Sequence, residues 1–299
     1  MLPSAGDLIT GEPCRVAGLV AMARRAEELG FDSVWLADHF LLYFRGPDFP
    51  PLGSWECWMT ASAIGAATTR VEIGTLVSST SFRPPAVLAA MVNTLDDLTD
   101  GRLILGLGAG DAEKEHRAMG IPFEQRVGRF EEALTILHAL LHEGQSSFEG
   151  RFYQTSDCQL LPPGPRAGGP PFLIGALAQS PRMLRLTAQY ADIWNVMLAF
   201  GRSRPDAIPP LRAAVDAACR KHGRDPATLA RSAAVLVDCS GFGWYPDGME
   251  PLTGSPEELA EAFRAFAREG ISHLQVATYP TTIEGIEQLA PVLELLDQT

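Results

Sequence analysis

The sequence predicts an α/β fold in which parallel strands are covered on both faces by helices. Three observations carry that prediction. Apolar strand-like runs alternate with helical periodicity from one end of the chain to the other. Most of the strand runs are continuously apolar rather than alternating, as expected of strands buried on both faces. And 299 residues, 46% of them hydrophobic and 20% charged, suffice for one large core.

The first helical run, "VAGLVAMARRAEELG", stops at Gly30 and leads into the strand "SVWLAD" at 33–38. A loop rich in Gly, Pro and aromatics follows, and Ser54 is placed to cap a helix that runs through Ala67. "VEIGTLVSS" is a strand; Pro84 and Pro85 open a helix that ends at Gly101; "RLILGLG" is the next strand. The residues after Asp111 are too polar for a clean amphipathic helix, and the following helix is expected over 125–142. The stretch 148–171 reads as a hairpin plus loop inside an insertion around 143–170. "FLIGA" is a strand, and Ser180 and Pro181 open the helix "SPRMLRLTAQY". "ADIWNVM", a helix over 210–222, "SAAVLVDC", a helix capped by Ser255 and stopped by Gly270, "HLQVATYP" and a last helix ending near Leu296 complete the order.

That order gives seven clear strand units, compatible with a doubly wound sheet or a (β/α)8 barrel. In a barrel the eighth strand must come from Met1-Leu2, so the first strand is short or truncated. The glycine-rich "LILGLGAGD" argues little for a dinucleotide fold. Its pattern is Gly106-x-Gly108-x-Gly110, it follows about the fourth strand, and no amphipathic helix opens behind it. Two readings remain for it: small residues that let a strand end pack tightly, and a cofactor bed at the C-terminal face of a barrel.

Formal net charge is −12, which argues against a nucleic-acid binder. No apolar run approaches the ~20 residues of a membrane span, and no secretory signal is read at the N-terminus. Cys14, Cys57, Cys158, Cys219 and Cys239 are scattered, without a C-x-x-C, which suits a reducing cytoplasm. His138 and His142 can share a helix face, but no third metal ligand is near; a solvated helix end is the plainer reading, and no metal is expected.

"AEELGFDSVWLADHF", "VEIGTLVSSTSFRPPAVLAAMVNTLDDLTDGRLILGLGAG", "FEGRFY" and "PPFLIGALAQSPRMLRLTAQYADIWNV" together resemble the bacterial luciferase-like superfamily, most closely its coenzyme F420-dependent and flavin-dependent oxidoreductases. The resemblance covers nearly the whole chain in family order. It implies a (β/α)8 TIM barrel of the luciferase-like type as one domain over 1–299, commonly a homodimer, acting on a small-molecule substrate. It further implies that F420, or alternatively FMN, lies at the barrel mouth. It places His39 of the "ADHF" motif beside the reactive carbon, where a residue that titrates near neutrality can hold or give a proton. Asp38 would orient His39 or anchor the loop. The family's non-prolyl cis peptide maps to Leu76–Val77, with Ser79 at the ring edge. Gly108, Ala109 and Gly110 would let backbone approach the cofactor. Asp111 stands where some relatives carry a catalytic Glu and others an aromatic, and Tyr43 where some carry an active-site Trp; an exposed turn acid and a loop anchor are the plainer readings. Gly175, Ala176, Ala178, Gln179 and Ser180 would form a phosphate turn at a helix start, with Ser180 as a plain helix cap the alternative. Asn195 would bond the ring or the substrate, and Arg83 and Arg182 could meet an acidic cofactor tail. The implied function is hydride transfer between F420 and a small organic substrate. The rivals are an FMN monooxygenase using O2, a non-catalytic flavin-binding protein, and a barrel without a cofactor.

Overall fold

A computed structural model describes the chain except for residues 4, 6–13, 44–49, 176–179, 240, 242–244, 246–247 and 299. Its helices and strands follow in chain order. The first half holds α1 (Val16–Glu28), β1 (Ser33–Leu36), β2 (Leu41–Leu42), β3 (Leu52–Gly53), α2 (Cys57–Ala67), β4 (Glu72–Thr75), β5 (Ser78–Ser79), α3 (Pro85–Leu98), β6 (Leu103–Gly108), α4 (Glu113–Ala118) and α5 (Arg126–His138). Then come β7 (Gln145–Glu149), β8 (Gln154–Gln159), β9 (Phe172–Gly175), α6 (Pro181–Tyr190), β10 (Ile193–Met197), α7 (Ile208–Lys221), β11 (Ala230–Asp238), α8 (Pro256–Arg268), β12 (His273–Tyr279), α9 (Ile283–Glu287) and α10 (Ala290–Asp297). The alternation read from the sequence is present strand by strand.

The chain divides into two compact units. The first comprises Met1–Leu2, Ala21–Trp35 and Leu173–Thr299. Within it β9, β10, β11 and β12 pair in parallel, with Ile193 opposite both Leu173 and Ala230, and Ser232 opposite His273. Met1-Leu2 forms no strand, yet bonds to strand backbone twice. The Leu2 N–H donates to the Trp35 carbonyl at 2.8 Å, and the Met1 amine donates to the Val276 carbonyl at 2.5 Å. Leu259, Phe263 and Phe266 recur at helical spacing on α8; Leu259 packs with Val237, Leu289 and Val292.

The start of α8 is determined locally. The Ser255 hydroxyl accepts from the Glu258 N–H at 3.3 Å, and the Glu258 carboxylate accepts from the Ser255 N–H at 2.8 Å, a reciprocal capping box ahead of Pro256. Ser255→Ala is expected to cost about 1 kcal/mol in urea unfolding, with no change in cofactor affinity.

The second unit comprises Pro3–Val20 and Leu36–Phe172. Here β6 pairs in parallel with β4 (Ile73 opposite Leu103) and with β5 (Ser79 opposite Gly108). All six residues of β6 are buried, which is why its sequence shows no polar alternation. The insertion contains the expected hairpin, β7 against β8.

Several boundaries differ from the sequence reading. Ser54 does not cap α2; Glu56 does, its carboxylate accepting from the Met59 N–H at 2.6 Å. The helix expected to reach residue 142 is α-helical only to His138, and a π-helical turn (Ala139–Glu143) finishes it. There the His138 and His142 rings meet at a tilt, 4.2 Å between centroids, and both lie against Phe172. The last helix is two, α9 and α10. No helix among the described residues is long and apolar enough to cross a membrane.

Candidate active site

The chemistry-bearing residues of the second unit gather at the C-terminal ends of β1, β5 and β6. Immediately after β1, Asp38 and His39 take different partners. Asp38 is 2% exposed and accepts from the Ser78 hydroxyl at 2.8 Å and from both terminal nitrogens of Arg83, at 2.6 and 3.1 Å. Arg83 also pairs with Glu56, the cap of α2. Asp38 therefore does not orient His39, and Arg83 is not a free cation for an acidic tail: its charge is balanced by two carboxylates. The paired neighbours raise the Arg83 pKa despite the opposing effect of its burial.

The residue that holds His39 is Glu115. Its carboxylate is 1% exposed, and Oε2 accepts from the His39 Nδ1–H at 2.8 Å. The other oxygen, Oε1, accepts from the backbone N–H groups of Phe40 at 2.5 Å and Leu41 at 3.0 Å. A carboxylate only accepts, so Nδ1 must carry the hydrogen. The imidazole itself is 26% exposed. Burial pulls its pKa down, but the bond to Glu115, reinforced by the fields of Glu115, Asp111 and Asp38, leaves it above the ordinary histidine value. Burial likewise raises the Glu115 carboxyl, and the bonds from His39, Leu41 and Phe40 outweigh it and bring its pKa below the usual range.

Glu115 lies on α4, a single short helix that the sequence reading did not foresee. It has no apolar face to read. It forms because Glu113 and Glu115 suit its first turn and Arg117 its last, with an exposed Glu113–Arg117 pair at 2.8 Å. The available signal was a glutamate four residues before the Met119-Gly120 helix stop, too weak to separate from a solvated charge. Asp111, just before α4, is exposed. Tyr43 is half-buried, with the Lys114 ammonium 5.6 Å from its ring centre.

The glycines of β6 serve packing first. A Cβ on Gly106 would fall 1.8 Å from the Thr75 carbonyl oxygen, and one on Gly108 would fall 2.5 Å from a Val77 methyl. Gly108 is thus bare at least in part to admit Val77. Leu76–Val77 is a cis peptide, and the Leu76 N–H donates to the Leu36 carbonyl at 2.7 Å. Ala109 and Gly110 are partly exposed beyond the strand end. Gly110, at φ +79°, is the one glycine of the turn whose conformation demands it. His116 and the Ser79 hydroxyl crowd the place of its missing side chain. Ser79 Oγ and His116 Nε2 are both buried without a hydrogen-bond partner among the described residues. His116 Nδ1–H donates to the Ala112 carbonyl at 3.0 Å, so Nε2 keeps its lone pair. A buried hydroxyl and a bare acceptor beside a side-chain-free turn suit the polar edge of a heteroaromatic ring.

The remaining predicted residues belong to the other unit. Gly175 ends β9, and Ala176, Ala178 and Gln179 lie outside the described residues. Ser180 occupies the cap position of α6 with Pro181 first in the helix, but its hydroxyl makes no capping bond. Arg182 is exposed. Asn195 is buried and donates its amide hydrogens to Ser232 Oγ at 2.9 Å and Gln275 Oε1 at 3.0 Å, which uses both of its donors inside the sheet.

The profile of the luciferase-like monooxygenase family matches residues 2–240. The chain belongs to this family. Among curated luciferase-like relatives, an F420-dependent glucose-6-phosphate dehydrogenase of Intrasporangium calvum is 39% identical over 165 residues, 51% of this chain and 48% of that protein. The chain spans about half the length of the first such relatives it matches. Among solved structures, an F420-dependent secondary alcohol dehydrogenase in complex with an F420-acetone adduct superposes with a TM-score of 0.80 at 20% identity, over 95% of this chain and 96% of that one. A long-chain alkane monooxygenase superposes with a TM-score of 0.75 at 16% identity, over 94% and 84%. The luciferase-like chain therefore has the (β/α)8 barrel fold that the resemblance implied.

Proposed function

We propose that this chain is an oxidoreductase that works with coenzyme F420, transferring a hydride to or from a small organic substrate. The observation that carries this reading is His39: a part-exposed imidazole just past a strand end, held at Nδ1 by a buried carboxylate, with no bond among the described residues engaging Nε2. F420, when bound, supplies the hydride carrier. The chain's own residues do the rest. His39 holds or releases the accompanying proton at Nε2; the Leu76–Val77 segment, Ser79 and Gly110 seat the ring; Asp111 and Tyr43 are the nearest candidates to meet substrate. Taken by itself, the start of α6, where Ser180 makes no side-chain cap bond, offers backbone N–H groups suited to an anion. The F420-dependent dehydrogenases among the relatives favour this cofactor over FMN.

The same reading takes residues 1–299 as one barrel domain in the cytoplasm, in keeping with five unpaired cysteines. A homodimer fits the exposed apolar side chains Trp55, Met59, Val87 and Leu98 on and beside α2 and α3.

Titration of the purified protein with F420 and with FMN, read by fluorescence, tests the proposal. F420 is expected to bind at least about tenfold tighter, a difference of about 1.4 kcal/mol. Tighter FMN binding with O2 consumption would make the protein a flavin monooxygenase. Flavin binding without turnover across donors would make it a carrier, and binding of neither would leave a barrel without a cofactor.

A further inference from the structure

The geometry points to Glu115 as the positioning residue of this site: acting through His39, it fixes the imidazole as the Nδ1–H form and so makes Nε2 the nitrogen that exchanges the proton. This deepens the oxidoreductase reading and rests on it for its catalytic meaning, while the positioning itself is a property of the protein alone.

The argument is one of saturation. Glu115 is buried, and each of its oxygens has a donor with no freedom to leave. Oε1 takes two backbone N–H groups from Phe40 and Leu41, which ties the carboxylate to the chain immediately after His39. Oε2 then has one position, opposite Nδ1. A histidine held this way cannot present Nδ1 to anything else, and in its neutral state must keep its lone pair on Nε2. The same three bonds fix backbone and side chain together. The Phe40 and Phe82 rings meet at a tilt with 5.1 Å between centroids, and Phe82 meets His116 in the same way at the same distance, which buttresses α4 from the side of residue 116. Asp38 and Asp111 are the other charged groups that act on His39, and Arg83 neutralises the first of them. Glu115 is therefore the only carboxylate in hydrogen-bonding contact with the ring among the described residues.

Glu115→Gln is the informative change. Glutamine keeps the shape and can still accept from the Phe40 and Leu41 N–H groups, but it turns an N–H toward Nδ1. That reverses the polarity of the bond and favours the Nε2–H form. Nitrogen-15 spectra of the histidines, with His39 assigned by its absence in His39→Asn, read this without any cofactor. In the unmodified protein His39 is expected as Nδ1–H above its pKa, with its titration above that of an ordinary histidine. In Glu115→Gln the tautomer is expected to switch and the titration to move to lower pH, while kcat falls at least about tenfold and KM stays within about twofold.

An Nε2–H tautomer, or a titration at or below the ordinary histidine value in the unmodified protein, overturns the inference even if the variant does not fold. An unchanged titration and tautomer in a folded Glu115→Gln also overturns it. Spectra as expected from a protein that binds no F420 would refute the oxidoreductase reading and leave the positioning role standing.

Discussion

His39→Asn is expected to lose about 10²–10⁴-fold in kcat with F420 while keeping its fold and its cofactor affinity. Asparagine is chosen because its amide can still donate toward Glu115 Oε2, now held at 2.8 Å by the imidazole, yet cannot take up or release a proton near neutrality. The cruder His39→Ala removes the donor as well, and should add about 1–3 kcal/mol of destabilisation by stripping a buried carboxylate oxygen of its partner. Comparing the two separates chemistry from stability. The pair also predicts a pH window. The raised His39 pKa means that its contribution is fully present below the unfolded histidine value and is lost as pH rises through the folded one. The lowered Glu115 pKa means that its contribution is present above the unfolded carboxyl value and is lost as pH falls through the folded one. The stability difference between the unmodified protein and His39→Ala should therefore peak in mildly acidic solution and shrink on both sides. Steady-state rates and urea unfolding across pH check both statements; a variant with undiminished turnover would remove His39 from proton handling.

Arg83→Met is expected to be the most destabilising single change at the site, at about 3–5 kcal/mol, or a Tm loss on the order of 10 °C. The Arg83 side chain is 10% exposed and spans two carboxylates. Without it, Asp38 keeps only the Ser78 hydroxyl as a donor while remaining buried. The cost lies in that uncompensated charge rather than in lost packing, since methionine fills most of the volume. Asp38→Asn added to Arg83→Met should recover a good part of it, because a neutral amide is cheaper to bury. Calorimetry on the two variants decides. If the double variant is no better than the single one, the buried charge is not the cause.

Much of this protein was legible in the order of its residues. The alternation of helix and strand, the Ser255–Glu258 cap, the hairpin of the insertion, the cis bond at Leu76–Val77 and the place of His39 past a strand end rest on short-range patterns or on motifs quoted whole. The partners of those residues were not legible. Asp38 adjoins His39 in sequence, which leaves open whether it orients His39 or anchors the loop, yet it pairs with Arg83, forty-five positions on; His39 pairs with Glu115, seventy-six positions on. Nor does the glycine pattern show that Gly108 makes room for Val77. The sequence by itself determined the order in which helices and strands alternate, which runs are buried and which family's frame they fill, because periodicity, capping and backbone freedom are local. Only the tertiary structure decided which carboxylate meets which cation and which glycine faces which neighbour. Those choices depend on strand ends meeting across long loops of chain, and on burial, which makes an unpaired charge too costly to leave in place.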